Sequence, residues 1–181
     1  RDECDLLRRF VDFWTRFHPD IVTGWNVEQF DIPYLANRIT KLFGEDEAKK
    51  LSPWNRISKR ETTIMNREVQ FYDISGVSIL DYLQLYRKFT YSQQESYRLD
   101  NIAHVELGER KIDYSEFETL HQLYKYDYQK FIEYNIRDVE LVEKLEDKMK
   151  LIELALTLAY DNKVNYDDVF TQVRMWDSIV Y

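Results

Sequence analysis

Asp31 and Asp138 are the two carboxylates whose surroundings in the sequence invite chemistry. Asp31 closes the stretch Gly24-Trp25-Asn26-Val27-Glu28-Gln29-Phe30-Asp31, and Asp138 closes Tyr134-Asn135-Ile136-Arg137-Asp138. Each sets an acid beside polar and aromatic groups at the edge of a predicted element. Paired hard-oxygen ligands suit Mg²⁺ or Mn²⁺ rather than zinc, and a metal so held can activate water for phosphodiester hydrolysis. Tyr134 and Asp138 stand at i and i+4 of a predicted helix, so they share a face at about 6 Å between Cβ atoms. A phenol there can orient the water that a metal on Asp138 activates; the plainer alternative is a Tyr–Asp pair on the wet edge of a helix. Asn26 can bond a phosphate or a terminal sugar hydroxyl, or it can cap a turn through the backbone. Glu28 ranks below Asp31 as a ligand, because nothing in the sequence fixes its longer side chain.

Other chemistries find no footing. His18, His104 and His121 lack ligand-like spacing and read as surface or cap residues. Cys4 is the sole cysteine, which excludes an internal disulfide and a thiolate zinc cluster and fits a reducing compartment. No serine sits beside a histidine in a nucleophile turn, and four glycines leave little room for a phosphate-cradling loop. The net charge of −8 argues against a protein that grips nucleic acid through bulk positive charge. Catalysis on nucleic acid stays open, because a metal ion supplies its own local charge. There is no signal-peptide pattern and no membrane span; the apolar run at 152–160 is too short. The expectation is a soluble, cytoplasmic protein without a membrane partner.

The elements that must position these residues follow from periodicity. Leu6, Leu7, Phe10, Val11, Trp14 and Phe17 predict a helix that His18-Pro19 ends. Residues 20–25 read as a short strand, buried on both faces around Ile21 and Val22. Residues 30–42 predict a helix, with Pro33 acceptable in its first turn. Residues 44–52 read as a short exposed helix or turn. Residues 57–73 predict a charged hairpin, turning at Met65-Asn66-Arg67-Glu68, that projects rather than packs. A second core strand ends at Asp81, whose simplest role is to cap the helix from Tyr82 to Phe89. Helices follow at 96–107, in a short amphipathic stretch at 114–123, and at 127–149. In the last of these, Phe131, Ile132, Ile136, Val139, Val142, Leu145 and Met149 form an apolar stripe. Residues 152–159 continue helically, with or without a kink, and a last helix starts near Thr171. Two core strands are few for an independent sheet, so the α/β architecture reads as incomplete.

The segment Gly24-Trp25-Asn26-Val27-Glu28-Gln29-Phe30-Asp31-Ile32-Pro33-Tyr34 resembles the second exonuclease motif of the family B DNA polymerases. Tyr134-Asn135-Ile136-Arg137-Asp138 resembles the third. Leu51-Ser52-Pro53 and Gly76-Val77-Ser78-Ile79-Leu80-Asp81-Tyr82 fall in matching order between them, most like the T-even-type bacteriophage branch, and the likeness runs along essentially the whole chain. The resemblance implies a ribonuclease H-like 3′-to-5′ proofreading domain that uses two Mg²⁺ or Mn²⁺ ions held by four carboxylates. It assigns Asp31 and Asp138 as metal ligands, Tyr134 as the residue that positions the attacking water, and Asn26 and Phe30 to the terminal nucleotide. It makes residues 60–72 a hairpin that helps part primer from template. The implied partners are a single-stranded DNA 3′ end, the remainder of the polymerase chain and a replication clamp, in the cytoplasm of a host cell.

The family's first motif, an Asp-x-Glu on an opening strand, has no counterpart here, since Asp2-Glu3 is adjacent and introduces a helix. Together with the start at Arg1, this predicts the later part of an exonuclease domain over residues 1–160. A connecting tail at 161–181 would lead toward a polymerase portion, and the segment alone would show little activity. Two other readings compete. One is a non-catalytic module that docks DNA or a replication partner. The other is a stand-alone nuclease in which Glu28, Asp73 or Asp81 replaces the missing carboxylates.

Overall fold

Asp2 accepts the Asp5 amide at 2.9 Å and so caps the first helix, Glu3–Phe17 (α1), which ends at a left-handed His18 with φ 38°. The computed structural model describes residues 2–64, 67–111 and 119–180, side chains at 64 and 67 excepted. After α1 come Ile21–Gly24 (β1), Asp31–Phe43 (α2), Glu45–Lys49 (α3), Ile57–Ile64 (β2), Arg67–Ile74 (β3) and Ser78–Asp81 (β4). The rest is helical: Tyr82–Phe89 (α4), Leu99–Leu107 (α5), Leu120–Tyr126 (α6), Tyr128–Met149 (α7), Leu151–Asn162 (α8), a 3-10 turn at Tyr166–Phe170, and Gln172–Val180 (α9). No helix among the described residues is long and apolar enough to cross a membrane.

The chain is α/β, as predicted. β1 and β4 pair in parallel, from Ile21 opposite Ser78 to Gly24 opposite Asp81. β2 and β3 form a separate antiparallel hairpin. One core cluster gathers Leu80, Tyr82, Leu85, Ile102, Leu141 and Leu145 from β4, α4, α5 and α7, and reaches Val169 in the 3-10 turn. A second joins Leu7, Val11 and Trp14 of α1 to Ile32 and Ile39 of α2 and to Leu51 and Val77.

Several sequence expectations need correction. β1 packs on both faces, with Ile21 against the first cluster and Val22 against the second, but it is half-buried rather than fully buried. Residues 44–52 are less exposed than predicted: Ala48, Leu51 and Ser52 are buried, and the Trp14 indole donates to the Leu51 carbonyl at 2.7 Å. α5 starts at Leu99, not at 96, after extended backbone at Arg98. The hairpin is exposed at 61–63, yet its base packs through Phe71 and Ile74, and Tyr72 donates to Asn37 at 2.6 Å. Its turn at 65–66 lies outside the described residues, as does 114–118 of the predicted amphipathic stretch.

The buried stripe of α7 is the one through Tyr134, Leu141, Val142 and Leu145, whereas Ile136 and Val139 are exposed. Tyr134, Asp138, Leu141 and Leu145 recur at helical spacing, so the Tyr–Asp pair extends the core-facing stripe. A left-handed Lys150 (φ 55°) separates α7 from α8.

Gly76 turns the chain from β3 into β4 at φ +87°, and a Cβ there would lie 2.6 Å from Pro53 Cγ. Gly76→Ala is therefore expected to destabilise the fold by about 2 kcal/mol or more, from the left-handed backbone and the overlap together. Urea unfolding of the two proteins side by side checks this.

Candidate functional site

Both core strands end at the same level, with Gly24 opposite Asp81, and the loop after β1 is built on that acid. Asp81 is almost fully buried. Its Oδ1 accepts the amides of Asn26 at 3.1 Å and Leu83 at 3.0 Å, and its Oδ2 accepts the amide of Glu28 at 3.1 Å. It thus caps α4, as predicted, and also pins the loop that carries the first motif. Burial raises its pKa, against the lowering effect of those amides. Asn26 sits in the left-handed region at φ 65°, which asparagine tolerates well. The Trp25 indole donates to the Tyr97 carbonyl at 3.2 Å and fixes the loop's other side.

Asp31 is the first residue of α2, where the helix dipole favours a carboxylate. It is exposed on the cleft. Crowding by neighbouring atoms and the charge of Asp81 nudge its pKa upward, against the pull of its own amide. Phe30 just before it is exposed and stacks on Tyr34 at 6.3 Å between centroids. Glu28 is better fixed than the sequence suggested. It is half-buried, Gln84 donates to it, and burial followed by the nearby charge of Asp81 raises its pKa.

On α7, Tyr134 is buried and Asp138 half-buried. Lys111 joins them. Its ammonium donates to Asp138 Oδ2 at 2.7 Å and to the Tyr134 hydroxyl at 3.2 Å, and lies 5.2 Å from the centre of that ring. Burial pushes the Lys111 pKa down, but the bonds to Asp138 and Tyr134 outweigh it and the net direction is up. The other oxygen, Asp138 Oδ1, is buried without a hydrogen-bond partner among the described residues. An orphaned carboxylate oxygen costs free energy unless a cation or donor meets it.

Asn26, Phe30, Asp31, Tyr134 and Asp138 all line one cleft, with Glu28 and Lys111. Its volume of about 2580 Å³ exceeds the pockets of about 300–1,000 Å³ that enclose small molecules and suits an extended ligand. Arg60, Arg87, Lys88, Arg98 and Arg110 also face it, so basic groups gather here despite the acidic total. Asp73 lies on a different hollow, behind the hairpin base, and Asp81 spends both oxygens on amides. Among the described residues no group of three or more metal-binding side chains forms. His18, His104 and His121 are exposed. Sequence reasoning missed Lys111 and Gln84. Neither has a spacing signal, and Lys111 is one of 25 basic residues.

Comparison with known proteins adds a family. The model described as "DNA polymerase family B, exonuclease domain" matches residues 1–102. The DNA-directed DNA polymerase of Escherichia phage RB69 is 38% identical over 180 residues, covering 99% of this chain and 20% of its own. That of Enterobacteria phage T4 is 35% identical over the same span and coverage. The DNA polymerase delta catalytic subunit of Candida albicans is 28% identical over 156 residues, 81% of this chain and 15% of its own. The chain thus spans about a fifth of the length of the two phage proteins it matches.

Proposed function

This chain belongs to the family B DNA polymerases, in their exonuclease portion, and on that premise we propose that its cleft removes nucleotides from single-stranded or frayed 3′ ends during proofreading. The observation that carries the reading is that residues from two distant motifs line a single cleft. The proposed fold of the complete domain is ribonuclease H-like.

Asp31 and Asp138 would hold Mg²⁺ or Mn²⁺, and the buried Oδ1 of Asp138, without a partner among the described residues, fits a hard cation. Asp31 and Asp138 line the same cleft, and among the described residues no group of three or more metal-binding side chains forms, so further ligands would come from water, the DNA phosphate or residues beyond those described. When bound, such ions lower the pKa of water and neutralise the leaving 3′ oxygen. The chain's own residues do the rest. Tyr134, fixed by burial and by Lys111, aims the attacking water. Asn26 bonds the terminal nucleotide, and Phe30 offers it an exposed ring. A mismatched end frays at least cost, so errors are selected without any base being read.

The test is release of mononucleotides from a 3′-labelled single strand with Mg²⁺ or Mn²⁺, by the full-length protein and by residues 1–181 alone. The full-length protein is expected to be active and the segment nearly inactive, for want of ligands. No release by the full-length protein would end this reading. Lys111→Met is expected to lower kcat about 10–100-fold with little change in KM, the scale of a small misplacement of reacting groups. Lys111→Arg should restore part of the loss. The stand-alone nuclease loses two of its three substitute carboxylates, since only Glu28 faces the cleft. The remaining alternative, a module that docks DNA or a replication partner without hydrolysis, predicts binding that Asp31→Ala leaves intact and no release.

A further inference from the structure

Tyr124 of α6 and Tyr128 and Phe131 of α7 form an aromatic cluster that the site above does not use. Tyr124 meets Tyr128 edge-to-face at 5.6 Å and Phe131 at 5.4 Å, while Tyr128 and Phe131 lie nearly parallel at 6.5 Å. Packing does not account for the arrangement, because Tyr124 is 50% and Tyr128 58% exposed.

The cluster is in line with the cleft. Phe131 precedes the cleft residues Tyr134 and Asn135 by three and four positions on α7, and Tyr128 lies one turn further back. Positions three and four apart share a helix face. At 1.5 Å per residue, Phe131 stands about 10 Å and Tyr128 about 15 Å along the axis from Asp138. A strand advancing about 3.4 Å per stacked nucleotide, and more when extended, covers that distance in roughly two to four steps. Leu120 of α6 also lines the cleft, so α6 continues the same wall.

We propose that Tyr124, Tyr128 and Phe131 are a stacking platform for the bases of a single DNA strand, two to four nucleotides inward from the 3′ end held at Asp138. The proposal rests on the nuclease reading above. Aromatic faces hold single-stranded bases whatever their sequence, which suits an enzyme that must accept any end. The charges beside the rings balance, Lys125 and Lys130 against Asp127 and Glu133, so the rings rather than a field make the contact.

The experiment compares hydrolysis of octathymidylate, which reaches the platform, with that of dithymidylate, which does not, by the full-length protein. Tyr124→Ala combined with Tyr128→Ala is expected to raise KM for the octamer by about tenfold or more and to leave the dimer within twofold. Tyr124→Phe with Tyr128→Phe, which keeps both rings, should stay near wild type on both. The slope of log KM against log salt should be unchanged, because no phosphate contact is lost. Equal effects on both substrates, no effect on either, or Phe variants as weak as Ala would overturn the platform while wild-type hydrolysis keeps the nuclease reading alive. A lowered melting temperature with unchanged DNA kinetics would mark the rings as packing between α6 and α7 and also overturn it. No hydrolysis of either strand by the wild type would instead defeat the nuclease reading, and the platform with it.

Discussion

Replacing Asp138 or Asp31 by alanine in the full-length protein is expected to slow 3′-terminal nucleotide release by roughly three orders of magnitude. The figure follows from the several kcal/mol that a metal contributes to a phosphoryl transition state, at about 1.4 kcal/mol per tenfold. The two variants differ in what else they change. Asp31 is exposed, so Asp31→Ala should cost only the favourable charge at the start of α2, about 0.3–1 kcal/mol. Asp138 pairs with the half-buried Lys111, and alanine strands that ammonium, at a cost of about 1–3 kcal/mol, between exposed and buried ion-pair values. Asp138→Asn keeps an oxygen for Lys111 but offers a metal a neutral, poorer ligand. It should therefore be as slow as Asp138→Ala while melting near wild type. A rate within tenfold of wild type for any of the three would remove that residue from the metal site.

The contrast between these two acids shows what the sequence could and could not reveal. Element identities followed from periodicity: the helices around Val11, Ile39 and Leu145 and the strand that ends at Asp81 are where hydrophobic spacing puts them. The candidate residues were legible too, because a polar and aromatic run that closes on an acid is hard to explain by packing. What stayed hidden was pairing at long range. Lys111 meets Asp138 across a gap in sequence that no local pattern encodes, and Gln84 fixes Glu28 from the far side of the hairpin. The exposed faces of Ile136 and Val139 were misjudged for a related reason. An apolar residue on a helix can serve more than one neighbour, and only the packing partners decide which stripe is buried.

Asp81→Ala is expected to be the most destabilising single change near the site, at about 3 kcal/mol. Three amides lose their acceptor at once, those of Asn26, Glu28 and Leu83. A hydrogen bond to a charged group contributes about 1.5–3 kcal/mol, so simple addition would give more. The sum is reduced because alanine also removes a buried charge whose desolvation opposes folding. That opposition has a pH signature. Burial raises the folded-state pKa of Asp81 above its unfolded value, so the folded protein holds this proton more tightly. The resulting stabilisation is complete below the unfolded pKa of about 3.9 and is lost as pH rises through the folded value. Wild type should accordingly lose part of its stability with rising pH across that window, and Asp81→Ala should show a smaller slope there. Asp81→Asn tests the geometry separately from the charge. It keeps one accepting oxygen but turns an NH₂ toward an amide that also donates, so it should recover less than half of the loss. Nucleotide release should fall with both variants, because the loop that carries Asn26 and Phe30 loses its anchor. Unfolding curves at pH 4 and pH 7 read with the nuclease assay settle the point: an Asp81→Ala protein as stable as wild type at both would show that the loop is held instead by the Trp25 indole bond and by Val27, which is buried in the second core cluster.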